Sequence, residues 1–456
     1  MVERRTSTRL RSWLLPSALL ITGAYGWACT DDPDLSNMDA SSGGEDPTVD
    51  AETGTDDPTT GGTAGSTTGT DSTTTTGSNV STTGGSEDVT RADVLASIAN
   101  NLILPSTESF AVSATELQNA IDAYATVAAD DPVAAGPELS AAQDAWQATT
   151  LEWQRLEVMQ IGPAASSTSA PGGENLRDEI YSWPTIDTCA VDRRIVSQEY
   201  NDRDFFPLNL VTNYGLDALE YLLFIHNTEH TCPANVQLDG PWTGLGFEEI
   251  ERRRAEFAGA IAAELTRRAD QLTERWSPEG GNYVSLLANP DDDSPFPTEA
   301  AALDDVFRAM FYIDKQTKDG KLAIPLGLLP GCAEAPCPDL LEVPHGQIAA
   351  DAIAENLEGL KFMVWGGTDP GTSAGFDDLL INADQEQIAI DLLGAIDQAI
   401  ATARAFDQPL QQAAASDLAA VEELHADVKA VTDILKGPFV MALMLTIPAE
   451  GAGDAD

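Results

Sequence analysis

The sequence predicts an all-α protein, two packed helical bundles carried on a disordered N-terminal stalk. Three observations predict it. After residue 90, apolar residues recur at three-, four- and seven-residue spacing, the mark of helices with one buried face. Alternating β-branched runs are few. Residues 30–90 contain no Lys, Arg, Phe, Trp or Tyr, so they have too little apolar surface to offset the entropy of ordering.

The N-terminus comes first. Arg4, Arg5, Arg9 and Arg11 precede an apolar run from Trp13 to Ala28 that stops at Cys29, the layout of a secretory signal peptide over residues 1–28. The run contains Pro16, Thr22 and Gly23 and falls short of the ~20 apolar residues of a stable membrane-crossing helix, so it reads as a removed segment. A small residue directly before Cys29 marks that cysteine for lipidation; ordinary cleavage nearby is the simpler alternative. Lipidation implies a cell-envelope protein held to a membrane by an N-terminal lipid, at the outer membrane or facing the periplasm. The stalk, residues 29–90, is rich in Thr, Gly, Ser and Asp. As a flexible linker of roughly 60 residues it spans roughly 40–45 Å.

The rest suits two bundles, 91–290 and 291–456, by the usual domain size of ~100–200 residues. The clearest helix has apolar residues at Phe247, Ile250, Phe257, Ile261, Leu265, Leu272 and Trp276. Ile353, Leu357, Leu360 and Val364 repeat the pattern, and Gly366-Gly367 ends it. Further helices are expected over 91–103, 108–128, 138–160, 209–225, 297–318, 384–405 and 416–436, with Pro/Gly-rich breaks at 162–173, 277–297 and 325–345. Trp146 and Trp153, seven residues apart, read as core.

Charge narrows the function. Lys and Arg total 24 against 74 Asp and Glu, a net charge of −50 of which the stalk carries only 13 acidic residues. A folded part this acidic excludes nucleic acid as a partner and favours solubility and attraction of cations. Apart from Cys29, the chain has Cys189, Cys232, Cys332 and Cys337, an even number in an oxidising compartment with three possible pairings. The short Pro-containing loop favours Cys332 with Cys337, leaving Cys189 with Cys232.

The most informative stretch is Asn213-Tyr214-Gly215-Leu216-Asp217-Ala218-Leu219-Glu220-Tyr221-Leu222-Leu223-Phe224. On a continuous helix Asn213, Asp217 and Glu220 share one face. Here the chain resembles the imelysin family of helical periplasmic and surface proteins, whose hallmark is G-x-H-x-x-E followed by an apolar run. Gly215, Glu220 and Leu222-Leu223-Phe224 match; Asp217 stands where the family has His. The resemblance continues in Ala145-Trp146 through Trp153, Glu157 and Gly162-Pro163, in Ser182-Trp183-Pro184, Asp187 and Val191-Asp192-Arg193-Arg194-Ile195, and in Pro325-Leu326-Gly327, Glu342, Asn356-Leu357-Glu358-Gly359-Leu360 and the acidic ending 453–456.

The resemblance implies two bundles side by side with a site where they meet, and a role in haem or iron acquisition with iron-uptake machinery as partner. An older label for the family, metallopeptidase, rests on the His and Glu. Zinc peptidases need neutral imidazole ligands and an open coordination position, which Asp217 does not supply. Asp217 and Glu220 are candidate metal ligands of the hard-oxygen kind, suiting iron or another hard cation. Asn213, Asp217, Glu220, Glu342 and Asn356 are the candidate ligand-binding set, and Arg193 or Arg194 is the internal alternative to a bound cation. His226, Glu229, His230 and Cys232 form a weaker metal candidate near a helix end; His345 and His425 are isolated. The favoured reading is a surface lipoprotein that binds a ligand, iron, haem or a hard cation. A metal-dependent peptidase and a structural or protein-binding module are the alternatives.

Overall fold

The computed structural model describes residues 88–449. The signal segment, Cys29, all but the last residues of the stalk and the acidic ending lie outside the described residues. Among the described residues every regular element is helical. Helix α1, Arg91–Ser97, opens with a capping box: Thr90 Oγ1 accepts the Asp93 N–H while the Asp93 carboxylate accepts the Thr90 N–H. It continues through a π-helical turn, Ile98–Ile103, into α2, Leu104–Ala128, and α3, Gly136–Glu157, follows. Two short helices, α4 (Leu176–Ile180) and α5 (Thr188–Ser197), precede α6 (Leu216–Phe224) and the long α7 (Phe247–Trp276). Then come α8 (Glu299–Met310), a π-helical segment Ile313–Ala323, α9 (Ala349–Trp365), α10 (Glu386–Arg404) and α11 (Leu418–Ile434).

The periodic stripes are where the helices are. Helix α7 has the bounds its apolar spacing predicts, and α9 stops at Gly366, which takes φ +70°. Two expectations are corrected. The stretch 297–318 is not one α-helix, because the chain passes into the π-helical segment after Met310. Nor is 209–225 one helix: Val211–Asn213 forms a separate 3-10 turn, and α6 begins only at Leu216.

Helix α2 lies between α3 and α7, and α6 rests on both α3 and α7. On its other side α3 meets α9, which packs on α10, and α10 on α11; α9 and α11 both contact the π-helical segment. Two helical groups thus meet along the α3–α9 seam. Gly359 makes that seam close, since a Cβ there would sit 2.3 Å from the Arg155 carbonyl oxygen. The described residues fall within one compact unit by their contacts, and residue 290 lies in the connection between α7 and α8. The expected cross-links are both present. Cys189–Cys232 ties α5 to the loop after α6, and Cys332–Cys337 closes a loop before α9. No helix among the described residues is long and apolar enough to cross a membrane.

Candidate functional site

Gly215 sets the start of the motif helix. Its φ of +98° is open to glycine, and a Cβ there would lie 2.8 Å from the Ile180 carbonyl oxygen. The chain turns at this point, so Asn213 does not share a helical face with Asp217 and Glu220. Asn213 is buried in the preceding turn, where its side-chain oxygen accepts the Thr212 hydroxyl. Trp146 pins the new helix by donating its indole N–H to the Leu216 carbonyl at 2.7 Å.

Asp217 and Glu220, one turn apart, are both buried. Ser182 donates its hydroxyl to Asp217 at 2.6 Å and the Ala218 N–H donates at 2.9 Å. The backbone N–H groups of His345 and Gly346 both donate to Glu220 Oε1 at 2.7 Å. His345, which carries no signal in the sequence, therefore enters through its main chain. Burial pushes the Asp217 carboxyl up to about 6 against the pull of these donors. Burial likewise pushes Glu220 up to about 8, with added repulsion from Asp217 and Glu342. A proton and hydrogen-bond donors compensate this pair. Arg193 is exposed, and Arg194 is engaged with Glu199 and Asn209, so neither is the internal cation expected from the sequence.

The cations come from elsewhere. Lys321, on the π-helical segment, is buried with its ammonium 2.6 Å from Gln154 Oε1, 2.7 Å from Asn356 Oδ1 and 2.9 Å from Glu342 Oε2. Tyr181 and Gln154 donate to the other Glu342 oxygen at 2.8 and 3.1 Å. Asn356 also donates to Gln154 and accepts the Thr317 hydroxyl. This network crosses the α3–α9 seam, and Glu342 and Asn356 are joined in it through Lys321 and Gln154. Lys321, Gln154 and Tyr181 were missed; the available signal was a lysine in a buried, helix-forming stretch of a chain poor in lysine. Arg177 is the second cation. It donates to Glu157 at 2.8 Å, to Asp178 at 3.0 Å and to the Trp183 carbonyl at 2.8 Å, and its charge acts on Asp217.

Beside this network lies a cavity of about 280 Å³, lined by Arg177, Trp183, Arg308, Tyr312, Lys315 and Gln316 among others. Trp183 and Tyr312 also face Lys321, whose ammonium is 5.7 and 5.4 Å from their ring centres. No group of three or more His, Cys, Asp or Glu able to hold a metal ion comes together among the described residues. Of the weaker metal candidate, Cys232 is in a disulfide, His226 contacts Glu251 and the Leu223 carbonyl, and His230 contacts Asp239. Trp146 and Trp153 are core, as their spacing suggests.

A profile of the imelysin family (Peptidase_M75) matches residues 103–436, well over half of the chain. The chain belongs to the imelysin family. Among curated proteins this imelysin is 25% identical over 351 residues to "Iron-regulated protein A" of Synechococcus elongatus, covering 75% of this chain and 84% of that one. Two solved structures share its fold. One is a putative iron-regulated protein A precursor from Parabacteroides distasonis, with TM-score 0.58, 16% identity, and coverage of 78% of this chain and 97% of that one. The other is an imelysin-like protein from Psychrobacter arcticum, with TM-score 0.59, 17% identity, and coverage of 78% and 96%.

Proposed function

We propose that this imelysin is a binding protein of an iron-related system, lipid-anchored at the cell envelope through Cys29, that takes a small ligand in the cavity beside the Lys321–Glu342 network. The observation that carries the reading is the junction itself. A cavity with charged and aromatic walls shares Trp183 and Tyr312 with a fully buried ion pair at the seam of two helical groups. Small-molecule sites favour such concave junctions with a few fixed polar groups. The iron association comes from the name of the Synechococcus relative. At about 280 Å³ the cavity is at the lower edge of the ~300–1,000 Å³ of ligand pockets, so it suits a small ligand better than haem. A peptidase reading gains no support from the motif, because Asp217 replaces the imidazole and is held by Ser182 and Ala218.

Native mass spectrometry with elemental analysis of protein from its own host tests the proposal. A small adduct, released on denaturation, together with abundance that changes between iron-starved and iron-replete cells, is the expected result. An unliganded mass and constant abundance under both conditions refute it. Membrane association lost in Cys29→Ser checks the anchor.

A further inference from the structure

The charge of the cavity wall runs against the charge of the chain. The whole sequence has 24 basic and 74 acidic residues, whereas the wall has three basic side chains, Arg177, Arg308 and Lys315, and one acidic, Asp178. Arg177 is spent on Glu157, Asp178 and the Trp183 carbonyl. Arg308 is not. Its Nε donates to Asp305 at 2.8 Å and its Nη2 to the Gln160 carbonyl at 2.9 Å; Nη1 has no acceptor among the described residues. The guanidinium is thus fixed from two sides with both Nη1 N–H groups and the second Nη2 N–H left over, a pre-organised fork of the kind that binds carboxylates. Lys315 adds a second basic side chain to the same wall, paired with Asp314 and Asp319. Trp183 and Tyr312 supply flat aromatic surface between these groups and Lys321.

We infer that this cavity takes a small carboxylate, free or as the chelator of a metal ion, with Arg308 as its principal contact. The inference rests on the binding role proposed above and names the ligand class. It also reverses the sign expected from the motif: Asp217 and Glu220 do not line the cavity and have their own donors, and three of the four charged side chains on its wall are basic.

Calorimetry at low salt, with benzoate, citrate, ferric citrate, phosphate, Ca²⁺ and Mn²⁺ as titrants, tests it. A carboxylate should bind, its affinity should fall with added NaCl, and Arg308→Gln should weaken it about tenfold or more. Because Arg308 also holds Asp305, Gln316→Glu provides a second variant that adds negative charge to the wall while leaving that contact intact, and it should weaken binding similarly. Thermal melts check that both variants fold. Binding of benzoate or citrate identifies a free carboxylate, and binding of ferric citrate alone identifies the chelate; both support the inference. Carboxylate affinity unchanged in both folded variants overturns it. Binding of only phosphate, Ca²⁺ or Mn²⁺ overturns it while leaving the general binding role standing. Binding of none overturns it too, and the native mass measurement then decides the broader reading separately.

Discussion

Asp217 and Asp314 are two buried aspartates of one compact unit, 4% and 1% exposed, yet their carboxyls shift in opposite directions. Burial pushes Asp217 up to about 6, because its contacts are a hydroxyl and a backbone N–H, with Arg177 acting only through its field. Burial also penalises the charge of Asp314, but Lys318 at 3.0 Å and Lys436 at 3.1 Å outweigh it and hold the carboxyl below its ordinary value. Burial alone does not decide the charge of a carboxyl group; an ammonium in contact does. The α6 side of the molecule resolves its carboxylates with protons and neutral donors, and the π-helical side resolves them with lysines.

The strongest way to break this contrast is to remove a lysine. Lys321→Met takes away the ammonium shared by Gln154, Asn356 and Glu342. Loss of one partner of a buried pair costs about 3–5 kcal/mol, measurable by urea unfolding at neutral pH. Adding Glu342→Gln to that variant should restore part of the loss. Stability close to wild type in Lys321→Met would mean that Glu342 draws its stabilisation from Tyr181 and Gln154 instead.

The next effect is on the proton-compensated side. Glu220 is raised to about 8 in the folded protein, so the folded state holds its proton longer than the unfolded chain. Its contribution is fully present below the unfolded value and is lost as pH rises through about 8. Glu220→Gln keeps an oxygen for the His345 and Gly346 N–H groups and cannot ionise. The variant should therefore exceed wild type above that pH by up to about 5 kcal/mol, since the rise from 4.5 to about 8 is roughly 3.5 powers of ten in proton affinity, each worth about 1.4 kcal/mol, and match it in acid. Parallel unfolding curves for the two proteins from acid to alkaline pH would refute the assignment.

On the lysine side the sign inverts. Asp314 is lowered, so its contribution is present above the unfolded carboxylate value and lost as pH falls through the folded one. Asp314→Asn should lose about 2 kcal/mol at neutral pH, in the range for hydrogen bonds to charged groups, and converge with wild type in strong acid. A constant difference at every pH would point to packing rather than charge.

This contrast also marks how far the sequence can be read. The Phe247–Trp276 and Ile353–Val364 stripes reveal their helices because an apolar face repeats with the helical period, a local property. The motif Gly215-x-Asp217-x-x-Glu220 identifies two buried carboxylates for the same reason. What compensates them is not local: Ser182 is 35 residues from Asp217, and Gly346 is 126 from Glu220. Lys321 reaches Gln154 across 167 residues, and no spacing rule connects them. The nearby Arg193 and Arg194 were the natural candidates, yet α5 turns Arg194 toward Glu199 and Asn209. The break at Gly215 is not legible, and 209–225 reads as one helix, because a glycine inside an apolar helical pattern does not announce which conformation it takes.

A smaller effect of the same sign as that of Glu220 concerns Asp217 itself, because burial raises its carboxyl less than it raises that of Glu220. In the folded state its value is about 6, so its contribution is complete below the unfolded value and fades as pH rises through about 6. The protonated acid is well accommodated: Ser182 can turn its hydroxyl from donor to acceptor, while the other carboxyl oxygen keeps the Ala218 N–H. Asp217→Asn reproduces that arrangement, with the amide nitrogen donating to Ser182 and the carbonyl accepting from Ala218. The variant should equal wild type in acid and gain up to about 3 kcal/mol over it above pH ~6, leaving the later decline due to Glu220 in place. Removing Glu220 as well should flatten that decline, with some departure from additivity because the two carboxyls repel each other. If Asp217→Asn instead loses stability above pH ~6, the ionised carboxylate is net stabilised by Arg177 rather than penalised by burial, which would move this residue to the same class as Asp314.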